Sequence, residues 1–185
     1  MTGQTRVAGW GSGPDGTIVT WTVAEGRKGR RWREVVARGE DVVHALLLET
    51  DPARRFSHLE LARADGLWTF HPEPDGTLHG NHVAGTAGVR HVAGRPFKPE
   101  DALLVEGSPV SKAAIAWRHA TAGAGSSPVA AVVIGLDGTL GDRSTLRVER
   151  TSANRWQVGE GGPIEIDAAG LPVLEGGETW PLELD

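Results

Sequence analysis

The sequence predicts an all-β protein, about ten to twelve antiparallel strands curled into a β-roll or open half-barrel. Three observations carry that prediction. Apolar and polar residues alternate over short runs, as in Thr145 to Arg150 (TLRVER), the period of two that a half-buried strand shows. Turn signals separate the runs, with Asp-Gly at Asp15, Asp65, Asp75 and Asp137, and Asp-Gly between extended runs is the strongest short-range hairpin signal. The 26 Gly and 11 Pro leave little room for long helices. An open sheet of so many strands curls or splits, and the concave side of the curl is where a ligand would fit.

The elements follow in order. Residues 1–13 read as a flexible N-terminus, and 14–185 as a single β-roll domain with a soft boundary at 120–128. Pro14 to Thr17 reads as a turn and Thr17 to Val23 (TIVTWTV) as a strand, with Trp21 on one face with Val19 and Val23. Arg27 to Arg38 (RKGRRWREVVAR) carries six basic residues and the lone acid Glu34. It reads as a solvated strand edge or loop, or as an anion contact beside Trp32. Glu40 to Glu49, with its run VVHALLL, is the most helix-like piece, although its length does not separate helix from buried strand. Asp51-Pro52 ends it.

Val43 to Val92 holds the densest strand, turn and histidine signals. There Leu67, Thr69 and His71 share one face and Trp68 and Phe70 the other. Ser111 to Trp117 (SKAAIAW) fits a strand or two helical turns. Residues 120–128 form the loosest segment, Pro128 to Ile134 a buried strand, and short strands follow to the WPLEL tail. No Lys or Arg follows Arg155, so the acidic end is expected to face the basic segment 27–38.

Composition narrows the function. A net charge of −5, from 19 basic and 24 acidic residues, argues against nucleic acid as a partner. Zero cysteines exclude disulfides, thiolate nucleophiles and cysteine zinc sites. No run of apolar residues is long enough for a membrane span, and no apolar leader is visible at the start, so the expected location is cytoplasmic. Seven Trp, three Phe and no Tyr fit core tryptophans spread among strand pairs, or a ligand-facing cluster of two or three.

Catalytic signals are weak. His71, His79, His82 and His91 lie close in sequence, but His79 and His82 on a strand would point to opposite faces, so no metal ligands are assigned. There is no GxSxG elbow, dinucleotide fingerprint or P-loop, and neither catalytic residues nor cofactors are assigned. The leading reading is non-catalytic binding of an amphipathic small molecule, a lipid or glycolipid, on the concave sheet face. Trp21, Trp68 or Phe70 would supply apolar contact, and Arg90 or His91 would meet a polar headgroup. A rival is a histidine-dependent hydrolase or metal enzyme using His79, His82 and His91 with Asp75, which requires those side chains to converge. A structural or protein-interaction domain is the third reading.

The order of features also resembles the glycolipid-binding β-roll family. The matching pieces are Gly66-Leu67-Trp68, Leu78-His79-Gly80, Val89 to Val92, Val148 to Arg150, Trp156 and Ile166 to Val173. The resemblance implies a spiral β-roll of half-barrel shape, and places His79, Arg90 and His91 nearest the family's characteristic segment. That segment, rich in Thr, Pro, Phe and Asn in the family, is replaced here by Asn81 to Gly88. Within the family, glycolipid binding is itself inferred from shape.

Overall fold

A computed structural model describes residues 5–13, 16–121 and 126–182. The first half of the chain alternates so regularly that each strand meets its successor in a hairpin. These are β1 (Thr5–Ser12), β2 (Ile18–Gly26), β3 (Gly29–Arg38), β4 (Asp41–Thr50), β5 (Phe56–Arg63), β6 (Gly66–Pro72), β7 (Thr77–Ala84) and β8 (Gly88–Pro96). With the C-terminal β15 (Glu175–Pro181), they form an antiparallel sheet of nine strands in the order β15-β1-β2-β3-β4-β5-β6-β7-β8. The sheet is curled into an open half-barrel, as the sequence predicts.

A second sheet of six strands comes from the remainder: β9 (Ala102–Val105), β10 (Ser126–Ile134), β11 (Ser144–Arg150), β12 (Arg155–Val158), β13 (Ile164–Ile166) and β14 (Pro172–Val173). Helix α1 (Pro109–Thr121) links β9 to β10, which pair in parallel. A parallel pair needs such a crossover, since no hairpin can join its ends. This pair is the exception to the antiparallel expectation. With fifteen strands among the described residues, the count also exceeds the expected one.

Several local expectations change. Residues 5–12, read as part of a flexible lead-in, form β1 between β2 and β15. Residues 1–4, 14–15 and 122–125 lie outside the described residues, and with them part of the first turn and of the loose segment 120–128. The helix-like run VVHALLL is the strand β4, whose apolar residues serve both faces of a central strand. SKAAIAW lies within α1 instead. The basic segment is no edge: β3 pairs on both sides, with Arg30, Trp32, Glu34 and Val36 buried. The acidic end joins the sheet beside β1, not beside β3.

The core lies between the concave side of the half-barrel, α1 and the second sheet. It holds Trp21, Trp32, Leu59, Leu61 and Phe70 from the large sheet, and Val105, Ala113, Ala116, Val132 and Trp156 from the rest. The curl is therefore largely filled by the chain itself. Asp75-Gly76 turns β6 into β7, with Gly76 at φ 82° and Glu73 N–H donating to Thr77 O at 2.8 Å. Gly138, at φ 76°, sits so close to the Trp68 indole that a Cβ there would overlap the ring.

Candidate functional site

Two polar constructions hold α1 against the half-barrel, and a cleft opens beside them. The first begins with strand phase. Trp32 points inward from β3, so Glu34, two residues on, does too. A carboxylate taken out of water needs partners. Glu34 Oε1 lies 3.0 Å from His44 Nε2 on β4. Its Oε2 accepts from Ser108 Oγ at 3.1 Å and from Val110 N–H at 3.0 Å. Ser108 Oγ in turn accepts from Ser111 N–H at 3.1 Å. Ser108 and Pro109 thus start α1 as an N-cap and first-turn proline do. Glu34 brings negative charge to the exposed N–H groups of that helix end.

The second construction centres on Trp117, near the other end of α1. The Arg30 guanidinium stands 3.7 Å from its ring centroid and the Arg54 guanidinium 4.2 Å. Trp32 meets the same indole edge to face at 5.9 Å. Arg30 also donates to Ala169 O at 2.8 Å and pairs with Glu25. Burial lowers its pKa, against the pull of Glu25. Arg54 occupies the β4–β5 turn at φ 64°, the only non-glycine residue with positive φ among the described residues, a conformation disfavoured for a side chain with a Cβ. Its N–H donates to Asp51 O at 2.8 Å.

Next to Arg54 the concave sheet and α1 part slightly. The cleft between them, about 350 Å³ of space open to solvent, has a floor that includes Leu48, Phe56, Leu103 and Ile115. Arg54, Arg118, His119 and Asp101 supply its ionisable groups. Little more than a water molecule would fit wholly inside it, so a ligand would lie along the cleft. Arg118 donates to Asp101 O at 3.3 Å, and burial lowers its pKa. Burial, then the neighbouring Arg118, also lowers the His119 pKa. Asp101 is spoken for. Arg143 grips both its oxygens, at 2.6 and 2.8 Å, and Lys98 N–H donates to it at 2.9 Å. Burial would raise the Asp101 pKa, but these bonds outweigh burial and hold it below the ordinary range. The charge offered by the cleft is therefore cationic.

The residues expected to bind a ligand are not gathered at this cleft. Trp21, Trp68 and Phe70 face inward but are core residues, 2, 4 and 0 % exposed. The Trp68 ring stacks on His82 at 4.1 Å and 10°, beneath Gly138. Arg90 pairs with His82 across β7 and β8, its guanidinium 3.4 Å from Nδ1. His79 and His91 belong to the opposite, convex face, where His79 pairs with His71 and His91 with Asn81. His82 is buried inside while His79 and His91 stand outside, so the three cannot meet at one centre. That separation removes the proposed enzymatic triad. Among the described residues, no group of three or more His, Asp or Glu stands ready around one point.

Sequence reading missed Glu34, Arg30, Arg54 and Arg118. Glu34 and Arg30 were in reach, since both share the two-residue phase of Trp32. The two cations of the cleft had no local signal, because a turn and a helix bring them together only in three dimensions.

No family model matches the chain, and no curated protein does. Among solved structures, it is similar to the crystal structure of a DUF1089 family protein from Pseudomonas aeruginosa. That match has 12% sequence identity and a TM-score of 0.47, and covers 92% of this chain and 89% of the other.

Proposed function

We propose that the protein binds an amphipathic small molecule with an anionic head, a lipid or a related single-chain compound, in the cleft between the concave sheet and α1. The observation that carries this reading is the apolar floor of Leu48, Phe56, Leu103 and Ile115 beneath Arg54, Arg118 and His119. Apolar area supplies affinity in such sites, and a few polar groups fix orientation. A guanidinium suits a carboxylate or phosphate because its planar donors match their oxygens. Trp21, Trp68 and Phe70 are core residues that do not line the cleft and take no part in this pose. Arg90 and His91 lie towards the far edge of the sheet and take no part in this pose.

Calorimetric titration with dodecanoate below its micellar concentration tests the proposal. Saturable binding to the wild type is expected. Arg118→Gln should weaken it by at least about fivefold, the loss of one charge-assisted contact. Ala114→Phe should abolish it by filling the cleft that Ala114 lines. Native mass spectrometry of the freshly purified protein should also show a lipid-sized adduct that organic extraction removes. Equal affinity in wild type and both variants would refute the site.

A further inference from the structure

The turn between β4 and β5 holds an arginine where the backbone favours glycine. Arg54 has φ 64°, and at every other described position with positive φ the residue is glycine. A side chain with a Cβ is disfavoured in this region, and such strain persists where the side chain has a use. The turn itself does not need the guanidinium. Its hydrogen bonds run from Arg54 N–H to Asp51 O and from Asp51 N–H to Arg55 O, both at 2.8 Å. Arg55 N–H also donates to Asp51 Oδ1 at 2.9 Å. A glycine at position 54 would keep all three.

The use lies at the cleft, which Arg54 lines beside Leu48 and Phe56. Its guanidinium lies over the Trp117 ring, 4.2 Å from the centroid, and forms no ion pair or hydrogen bond among the described residues. The arginines around it are engaged. Arg30 pairs with Glu25, Arg55 with Asp51 and Arg143 with Asp101, while Arg118 donates to Asp101 O. Those bonds also occupy the carboxylates of Asp51 and Asp101. A guanidinium lying on an aromatic face keeps its donors in one plane, where it can meet two oxygens of the same anion.

We infer that Arg54 is the specificity-determining residue of the cleft, selecting an oxyanion head that presents two oxygens over a neutral sugar head on the same alkyl chain. This role rests on the proposed binding in the cleft, and it excludes a neutral glycoside as the preferred ligand. A glycoside would bring apolar chain against Arg54 without a counter-charge, and a cation taken from water needs one. An oxyanion supplies it, with charge-assisted bonds stronger than those to a hydroxyl. The fixed turn and the ring under the guanidinium leave the side chain few conformations to lose on binding.

The test is calorimetric titration of the full-length protein with decanoate and with decyl glucoside, each below its micellar concentration. The wild type should bind decanoate at least about tenfold more tightly. Arg54→Gly should lose that preference by weakening decanoate alone, with glucoside affinity within about twofold of the wild type. Arg54→Lys keeps the charge but not the planar donors, and should still weaken decanoate by at least about threefold. The urea midpoint of Arg54→Gly should stay near the wild-type value, because the relaxed turn offsets the lost ring contact. Equal affinity of the wild type for both ligands would overturn the inference. So would a preference that survives in Arg54→Gly, and a lowered midpoint beside it would assign Arg54 to the fold instead. Decanoate binding that Ala114→Phe abolishes but Arg54→Gly leaves intact would sink this role and spare the cleft. No binding of either ligand by the wild type would remove both.

Discussion

The two faces of the nine-stranded sheet have been put to different uses. On the concave face every strand of β2–β7 contributes at least one residue that is wholly or almost wholly buried, and the Glu34 carboxylate there is matched by His44, Ser108 and Val110. On the convex face the cross-strand rows stay open to solvent. One is apolar, running Val35, Ala45, Ala62, Leu67, Val83, Val89 through direct strand pairs, and another holds the histidines. The difference teaches where chemistry can reside. Inner residues are committed to holding α1 and the second sheet in place, and at the cleft the inner side meets solvent beside Arg54, Arg118 and His119.

That contrast predicts a steep gradient of mutational cost. Glu34→Ala should be among the most damaging single changes, since it strands His44, Ser108 and the Val110 N–H in the interior. Removing one member of a buried polar cluster costs about 3–5 kcal/mol, measurable by urea unfolding. Gly138→Ala combines a left-handed backbone with overlap on the Trp68 ring. It should cost about 1–3 kcal/mol and alter the near-ultraviolet tryptophan signal. On the convex side, Val89→Thr, at a residue 65 % exposed, should fall within about 0.5 kcal/mol. Comparable losses at Glu34 and Val89 would erase the distinction between the faces.

The cleft groups add a pH dependence with two limbs. The folded pKa of Asp101 is depressed, so its contribution is present above the ordinary carboxylate value of about 3.9 and is lost as pH falls through the folded value. Asp101→Asn should remove that acid limb. His119 is a base whose folded pKa is also depressed. Below its ordinary value of about 6.5, the unfolded chain takes up the proton first. Stability therefore falls with pH until the folded imidazole protonates as well. His119→Asn should flatten this upper limb in unfolding curves measured between those values.

Much of the large sheet was legible in the sequence because its strands are long and alternate. Asp65-Gly66 and Asp75-Gly76 mark hairpins where the structure has them. The second sheet was harder, since β12, β13 and β14 are only four, three and two residues long. Its crossover helix was hidden by a seven-residue window, SKAAIAW, that fits either period. Ser108-Pro109 is the signal that marks its start, a cap followed by a first-turn proline. For the site, tryptophan was a poor guide. Trp21 and Trp68 are buried because their large rings fill the curl, while the cleft is built from Arg54 in a turn and Arg118 on a helix.

The most direct test is a methyl and indole nuclear magnetic resonance titration with dodecanoate below its micellar concentration. The account predicts that Leu48, Leu103 and Ile115 methyl signals shift along one saturable curve while the Trp21 and Trp68 indole N–H signals stay in place. Shifts concentrated at those indoles, with the Ile115 methyls unmoved, would show that a ligand enters the filled interior and would contradict the cleft as the site.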